Sequence, residues 1–212
     1  TKKASDYLPE LKGTNKEHMI IRDILAHQAG LWPYLPFWKN TMDNAIHLPG
    51  FYSYHPQDTY PFYVAKGLYS HLEIEDKVWQ WVIESDLREK KDHIPYDYKY
   101  SDMGYYMLYH MAEKLLNQPI EDFLTQNIYD PLGASTLNYL PLCKFSSDLI
   151  APTENDMSFR QSQIIGTVHD QGAAMIGGVA GHAGLFSNAN DLAKLFQMHL
   201  QNGEYGGIKY FE

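Results

Sequence analysis

The chain has 212 residues, 44% hydrophobic and 20% charged, which is typical of a globular protein and leaves the number of domains open. Its formal net charge of −9 argues against a nucleic-acid partner, because phosphate binding needs clustered Lys and Arg. No apolar run approaches the roughly 20 residues of a membrane span, and no signal peptide is visible. Cys143 is the one cysteine, so an internal disulfide is excluded.

The first part of the sequence predicts two helices separated by a long ordered loop. The first helix is short, and Gly30 is expected to cap its C-terminal end. Its inward residues are expected to be Ile21, Ile24 and Leu25. Residues 31–71 show no helical or strand period, yet they are too aromatic for a solvated linker. Residues 76–88 return to helical spacing, and residues 89–92 predict a solvated turn. The apolar side of that second helix carries Val78, Trp81 and Val82.

The central stretch Tyr100-Ser101-Asp102-Met103-Gly104-Tyr105 joins a polar, aromatic loop to a third helix. Ser101 or Asp102 can cap this helix, and Pro119 should end it. The buried stripe is expected to be Leu108, Met111, Ala112 and Leu115. Spacing alone favours an ordinary N-cap with a packed tyrosine. The alternative is a junction that exposes a phenol and a carboxylate to a cleft.

The C-terminal half predicts two more helices around an irregular region. The first should end at residues 130–133, and its apolar residues are Ile120, Phe123, Leu124 and Ile128. Residues 134–171 look irregular, with a short strand expected within residues 164–170. In the last helix Ser187 is the expected cap, Asp191 lies in the first turn, and Gly203 follows the end. Its expected buried stripe is Ala189, Leu192, Ala193, Phe196 and Leu200.

The sequence predicts no metal site and no cofactor. His169-Asp170 with His182 is the best potential metal cluster, but His-Glu-x-x-His and cysteine pairs are missing, so packing or loop hydrogen bonding is favoured for these residues. Residues 172–184 are rich in glycine but have neither Gly-x-Gly-x-x-Gly nor a Gly-Lys-Ser/Thr ending. Close backbone packing is the expected use of those glycines.

Four motifs in order resemble the serine β-lactamase-related family, which groups class C β-lactamases, D-alanyl-D-alanine peptidases and related esterases. They lie at residues 7–11 (Tyr-Leu-Pro-Glu-Leu), 24–31, 100–105 and 181–187. The second motif reads Ile-Leu-Ala-His-Gln-Ala-Gly-Leu, and the last reads Gly-His-Ala-Gly-Leu-Phe-Ser. The resemblance extends over nearly the whole chain.

The resemblance implies a mainly α fold, the helical part of a β-lactamase/transpeptidase-like domain with few short strands. The family's Ser-x-x-Lys nucleophile turn has no match in this chain and would lie upstream of Thr1. The family's Lys- or His-x-Gly element would follow the last helix. Residues 1–212 are therefore expected to be a single fragment that lacks the nucleophile segment and the C-terminal strands, and to be inactive alone.

The resemblance also implies the site residues. Tyr100 falls on the family's catalytic tyrosine, and Asp102 falls where the family usually has asparagine. A carboxylate can only accept hydrogen bonds, which puts a β-lactam substrate in doubt and leaves room for a substrate amine or a structural cap. Ser101, His169 and His182 are further candidates for the substrate pocket. His182-Ala183-Gly184 spells His-x-Gly, but its neighbours place it in an earlier segment, so a structural role is favoured for His182 and for His27.

The expected parent protein is thus a serine hydrolase that cleaves a small-molecule amide or ester of cell-wall or carbohydrate origin through an acyl-enzyme. The alternative is a non-catalytic binding module that kept the fold and lost the nucleophile. The resemblance permits fusion to a glycoside hydrolase and an extracytoplasmic location. The oligomeric state and the substrate are not readable from the sequence.

Overall fold

The computed structural model describes residues 2–89 and 96–211, so the turn expected at residues 89–92 lies largely outside the described residues. The helices are α1 (Ile21–Leu25), α2 (Ile74–Glu84), α3 (Asp102–Leu116), α4 (Ile120–Leu124), α5 (Gln171–Met175) and α6 (Ala189–Leu200). The strands are β1 (Met42–Asp43), β2 (Ile46–His47), β3 (Tyr52–Ser53), β4 (Phe62–Ala65), β5 (Leu68–Ser70), β6 (Glu154–Asp156), β7 (Ser162–Ile164), β8 (Glu204–Tyr205) and β9 (Ile208–Lys209).

The fold is a β-lactamase-like α/β fold with 37% helix and 14% strand, so the expectation of a mainly α fold is wrong. Strands β1 to β5 lie within residues 31–71, where the sequence showed no strand period. Three of them are only two residues long, which is too short for alternation to show. The turns between these strands are what the sequence could have revealed, because Asn44 and Gly67 take the left-handed backbone conformation that tight hairpins need.

The strands form four small antiparallel sheets in the described part of the chain. Three are two-stranded, pairing β1 with β2, β6 with β7 and β8 with β9, and the fourth has the order β3-β5-β4. In that sheet Ser70 of β5 lies opposite both Tyr52 and Phe62. Its hydroxyl donates to the Met175 carbonyl at 2.6 Å, which joins the sheet to α5.

Helix α3 is the element on which α1, α2 and α4 pack. Its predicted start is confirmed. Its predicted stripe is wrong in part, because Leu115 is 63% exposed, whereas Leu108 and Met111 pack on the core. The buried residues of the helix are Met103, Gly104, Tyr106, Met107 and Tyr109. Gly104 lets α1 approach, since a Cβ there would meet Ile24 Cγ2 at 2.8 Å. The helix ends at Leu116, followed by Asn117 in the left-handed conformation, and α4 begins just after Pro119.

Two other helix ends differ from the prediction. In α1, Ile24 is buried but Leu25 is exposed, and His27 at φ 57° takes the left-handed conformation before Gly30 does. At the start of α6, Asn188 is the cap in place of Ser187, because its side chain accepts from the Asp191 amide.

The buried side of α6 also differs from the predicted stripe. Phe196 and Leu200 are exposed, whereas Asp191 and Met198 are buried. Asp191 faces inward because its carboxylate accepts from the amide and the hydroxyl of Thr136, at 2.8 and 2.7 Å. A polar anchor therefore sets the rotation of this helix, which an apolar pattern cannot reveal.

The helix predicted near residues 120–128 is confirmed as α4, continued by a π-helix at Thr125–Tyr129. The strand expected within residues 164–170 is wrong beyond Ile164, where β7 ends. The carbonyls of Val168 and His169 accept from the guanidinium of Arg160 and so have a partner without a strand.

None of the helices in the described part combines the length and apolar character needed to cross a membrane.

Lys16 fastens the segment before α1 to the end of α2. Its side chain is fully buried, and its ammonium donates to Asn15 Oδ1 and the Ile83 carbonyl, both at 2.9 Å, and to the Ser85 carbonyl. Burial lowers the pKa of Lys16 to about 8. The folded protein therefore binds this proton less tightly than the unfolded chain does.

Replacing Lys16 with Met should lower the free energy of unfolding by about 1–3 kcal/mol, because the bonds from the ammonium to the Ile83 and Ser85 carbonyls and to Asn15 Oδ1 are lost. Urea unfolding followed by circular dichroism measures the change. Lys12→Met, at an exposed position nearby, is the matched control and should stay within about 0.5 kcal/mol of the parent. Equal stability of the two variants would contradict the proposed role of Lys16.

Candidate active site

The start of α3 is fastened to the segment that follows α1. The Ser101 hydroxyl donates to the Trp32 carbonyl at 2.6 Å, and the Ser101 amide donates to His27 Nδ1 at 3.2 Å. The Asp102 amide donates to the Pro33 carbonyl at 3.0 Å. The prediction that the side chain of Ser101 or Asp102 caps α3 is wrong, because neither makes a capping bond. Ser101 is buried, so it works as a tether and does not line the cleft.

The Tyr100 side chain stands just before this junction. It is 49% exposed, and its ring lies against His27 with the ring centroids 4.7 Å apart. Burial, followed by the hydrogen bond to Asp102 and the charge of that carboxylate, raises the pKa of Tyr100 to about 12. The phenol is therefore protonated near neutrality.

Asp102 lies beside two groups that come from later in the chain. Its carboxylate, an oxygen of Asp170 and a ring nitrogen of His182 all lie within 4.8 Å of one another. Burial raises the pKa of Asp102, while the hydrogen bond from Tyr100 and the charge of His182 act in the opposite direction. Of these influences, burial is the largest, so the pKa of Asp102 lies above its ordinary value.

Asp170 and His182 form a pair beside Asp102. The His182 Nε2 lies 3.2 Å from Asp170 Oδ1, and the same carboxylate caps α5 by accepting from the Ala173 amide at 2.7 Å. Burial tends to raise the pKa of Asp170, but the hydrogen bond and charge of His182, the Ala173 amide and Arg160 outweigh it and hold that pKa low. The His182 side chain is 3% exposed and packs on the ring of Tyr106.

A glycine brings His182 to this position. A Cβ on Gly181 would lie 2.5 Å from the carbonyl oxygen of Tyr105, so the loop can approach α3 only without a side chain there. Gly172 is similarly constrained by the hydroxyl of Tyr106. For these two residues the predicted close backbone packing is confirmed.

His169, another predicted site residue, does not join the cluster. Two residues near the cluster, Tyr34 and Gln171, were not predicted. The His169 side chain is 64% exposed and lies 3.9 Å from Glu154, away from the cluster. Tyr34, by contrast, reaches the site, where its hydroxyl lies 3.3 Å from Gln171 Oε1. No spacing pattern marked either Tyr34 or Gln171; the aromatic density of residues 31–71 was the one available signal.

Asp102, Asp170 and His182 also provide a donor set that a divalent cation accepts, two carboxylates and an imidazole. Within this group, Asp170 and His182 are hydrogen-bonded to each other without an ion. The expectation that no metal is used stays a prediction.

A family model described as Beta-lactamase matches residues 1–207, so the chain belongs to the β-lactamase family, and the predicted resemblance is confirmed. The N-acetylmuramyl-L-alanine amidase of Bacillus subtilis strain 168 is 31% identical over 234 residues. That match covers 99% of this chain and 46% of the relative, so the chain spans about half the length of that relative.

Two solved structures share the fold. The penicillin-binding protein homologue from Caulobacter crescentus has a TM-score of 0.57 at 15% identity, covering 98% of this chain and 50% of the other. The β-lactamase/D-alanine carboxypeptidase from Pseudomonas syringae has a TM-score of 0.55 at 15% identity, covering 97% and 45%. At these identities the likeness supports the fold alone.

Asp170→Ala should lower the free energy of unfolding by about 2–4 kcal/mol, because α5 loses its cap and His182 loses its partner. Asp170→Asn should cost about half as much, since its amide oxygen can still accept from Ala173. Urea unfolding at pH 7 compares the two, with the exposed Asp58→Ala as control. If Asp170→Ala were as stable as the control, the Asp170–His182 pair would not contribute to the stability of the fold.

Proposed function

We propose that this chain forms one wall of the site of a serine hydrolase that cleaves an amide or ester, derived from the cell wall, through an acyl-enzyme. The observation that carries the proposal is the grouping at the start of α3, where Asp102 lies within 4.8 Å of Asp170 and His182 and directly follows the Tyr100-Ser101 pair. The backbone tethers to residues 27–33 hold that junction in place. The similarity to the Bacillus amidase supports amide chemistry.

In this proposal Tyr100 acts in its protonated form, as a donor toward the reacting group. The negative charge of Asp102 disfavours a neighbouring phenolate and so keeps Tyr100 protonated. Acyl transfer also needs a nucleophile and a base. No Ser-x-x-Lys occurs in residues 1–212, so the proposal places the nucleophile segment and the flanking strands elsewhere in the parent protein.

The missing Ser-x-x-Lys also favours a second candidate, a non-catalytic binding module with the same fold. The two candidates differ in the parent protein's sequence. A Ser-x-x-Lys turn before the segment that contains Tyr7, Leu8 and Pro9 favours the hydrolase, and its absence there favours the binding module.

The 212-residue chain should be inactive by itself, because a phenol and a carboxylate cannot form an acyl-enzyme. The purified chain is incubated with a fluorophosphonate and with a penicillin, and the intact mass is measured. We expect no adduct. Stoichiometric labelling at a serine would show that the chain carries its own nucleophile.

In the parent protein, Tyr100→Phe should lower turnover by roughly 10²-fold or more, consistent with loss of an acid–base group. The melting temperature should change little, because only a half-exposed hydroxyl is removed. Tyr105→Phe, a neighbouring tyrosine on the same helix, is the matched control. Full activity of Tyr100→Phe would refute the catalytic assignment.

A further inference from the structure

Arg160 is a buried cation that binds two carboxylates and two backbone carbonyls. Its side chain has no exposed surface. The guanidinium Nε donates to Asp156 Oδ2 at 2.8 Å, and Nη2 donates to Glu154 Oε1 at 2.7 Å. Nη1 and Nη2 also donate to the carbonyls of Val168 and His169, at 2.5 and 2.7 Å. A planar guanidinium can hold acceptors in several fixed directions at once, which an ammonium cannot.

The turn between β6 and β7 has hydrogen bonds of its own, apart from this guanidinium. Asp156 Oδ1 accepts from the amides of Ser158 and Phe159 at 3.0 and 2.9 Å, and Oδ2 accepts from the Arg160 amide at 3.2 Å. Bonds from an aspartate side chain to nearby amides are a common way to close a turn. The two bonds from Arg160 to carbonyls leave the hairpin and reach the segment that leads into α5.

The hairpin gives Arg160 a fixed base. Phe159 is fully buried, and its ring stacks on that of Trp38 with the centroids 5.6 Å apart. The Phe159 carbonyl accepts from His47 Nε2 at 2.8 Å. Because Arg160 follows Phe159 directly, its backbone is held to the core at the point where its side chain begins.

The two carbonyls that Arg160 binds belong to the residues directly before Asp170. The Asp170 carboxylate in turn accepts from the Ala173 amide and pairs with His182. Burial tends to raise the pKa of Asp170. It is outweighed by the hydrogen bond and charge of His182, by the Ala173 amide and by the charge of Arg160. Arg160 thus acts on Asp170 in two ways, through the backbone that carries it and through charge.

We propose that Arg160 is a positioning residue of the site, which sets where Asp170 lies beside Asp102 and His182 by binding the two carbonyls before it. Stability alone is a weak reason for a buried cation, because hydrophobic residues of similar volume often stabilise as well as a buried ion pair does. Ordering the approach to Asp170 gives the guanidinium a role that a hydrophobic side chain lacks. The inference rests on the proposed function for the role of the cluster, but its contacts are testable in the 212-residue chain.

Arg160→Lys separates positioning from charge pairing. It keeps a cation beside Asp156, but an ammonium cannot bind both carbonyls in the geometry of the guanidinium. Hydrogen exchange followed by NMR compares the Ala173 amide, capped by Asp170, with the Asp191 amide, which is capped in the same way in α6. Global unfolding exposes both amides, so the ratio of their exchange rates reports local opening of α5. We expect this ratio to rise roughly 10-fold, the effect of losing one or two hydrogen bonds.

A titration of Asp170 by carbon-13 NMR is the second measurement, with Asp170→Asn to assign the signal. Arg160→Lys should raise the pKa of Asp170, because the shorter side chain leaves its charge with Asp156. In the parent protein the same variant should lower kcat by roughly 10-fold and change KM less, as misplacement of a functional group does. All NMR samples contain trimethylamine N-oxide, which favours the folded state and keeps a destabilised variant measurable.

Lys16→Met is the matched control, because it removes a buried cation that binds Asn15, Ile83 and Ser85 and no residue around Asp170. It should lose stability without changing the exchange ratio or the titration of Asp170. If Arg160→Lys matches this control in either measurement, Arg160 only stabilises the fold and the proposal is overturned.

The result is separable from the proposed function. If both measurements change in Arg160→Lys but the parent protein shows no hydrolysis, the positioning of Asp170 stands and the hydrolase is wrong. If the parent protein hydrolyses an amide or ester and Arg160→Lys leaves Asp170 unchanged, the hydrolase stands and the positioning role is wrong.

Discussion

The junction between residues 27–33 and the start of α3 is the constraint on which the site depends. Two backbone amides and one hydroxyl at residues 101 and 102 are satisfied by the imidazole of His27 and by two carbonyls of the following segment. Buried polar groups that bind each other in this way fix the position of both segments, since releasing either leaves donors without partners. The phenol, the carboxylate and the aromatic side chains around them are positioned as one unit.

Charge at the cleft is arranged differently from charge on the rest of the surface. Carboxylates that are removed from water usually have a cation close by. Here Asp170 has an imidazole, and Asp102 has a phenol and lies near both His27 and His182. The two carboxylates therefore lie beside an imidazole and a phenol, and the charge of Arg160 also acts on Asp170.

The start of α3 was predicted correctly from local signals, whereas its side-chain cap and that of α6 were not. Tyr100 and Asp102 were chosen as neighbours two residues apart in the chain. Asp170 and His182 join them only through packing, and Gly181 makes that packing possible by lacking a side chain. The stripes of α3 and α6 were mistaken because tyrosine rings are core in one helix and the Asp191 carboxylate faces inward in the other. The strands of residues 31–71 were too short to show a period.

The buried ammonium of Lys16 has a consequence for how this chain folds. Its bond to the Ile83 carbonyl closes a loop of 67 residues, which contains α1, the three-stranded sheet and the segment tethered to α3. Closing so long a loop is entropically costly, and contacts of this range slow the folding of small domains. The Lys16 ammonium therefore acts as a non-covalent cross-link. Opening the loop requires breaking its buried hydrogen bonds to the carbonyls that accept from it.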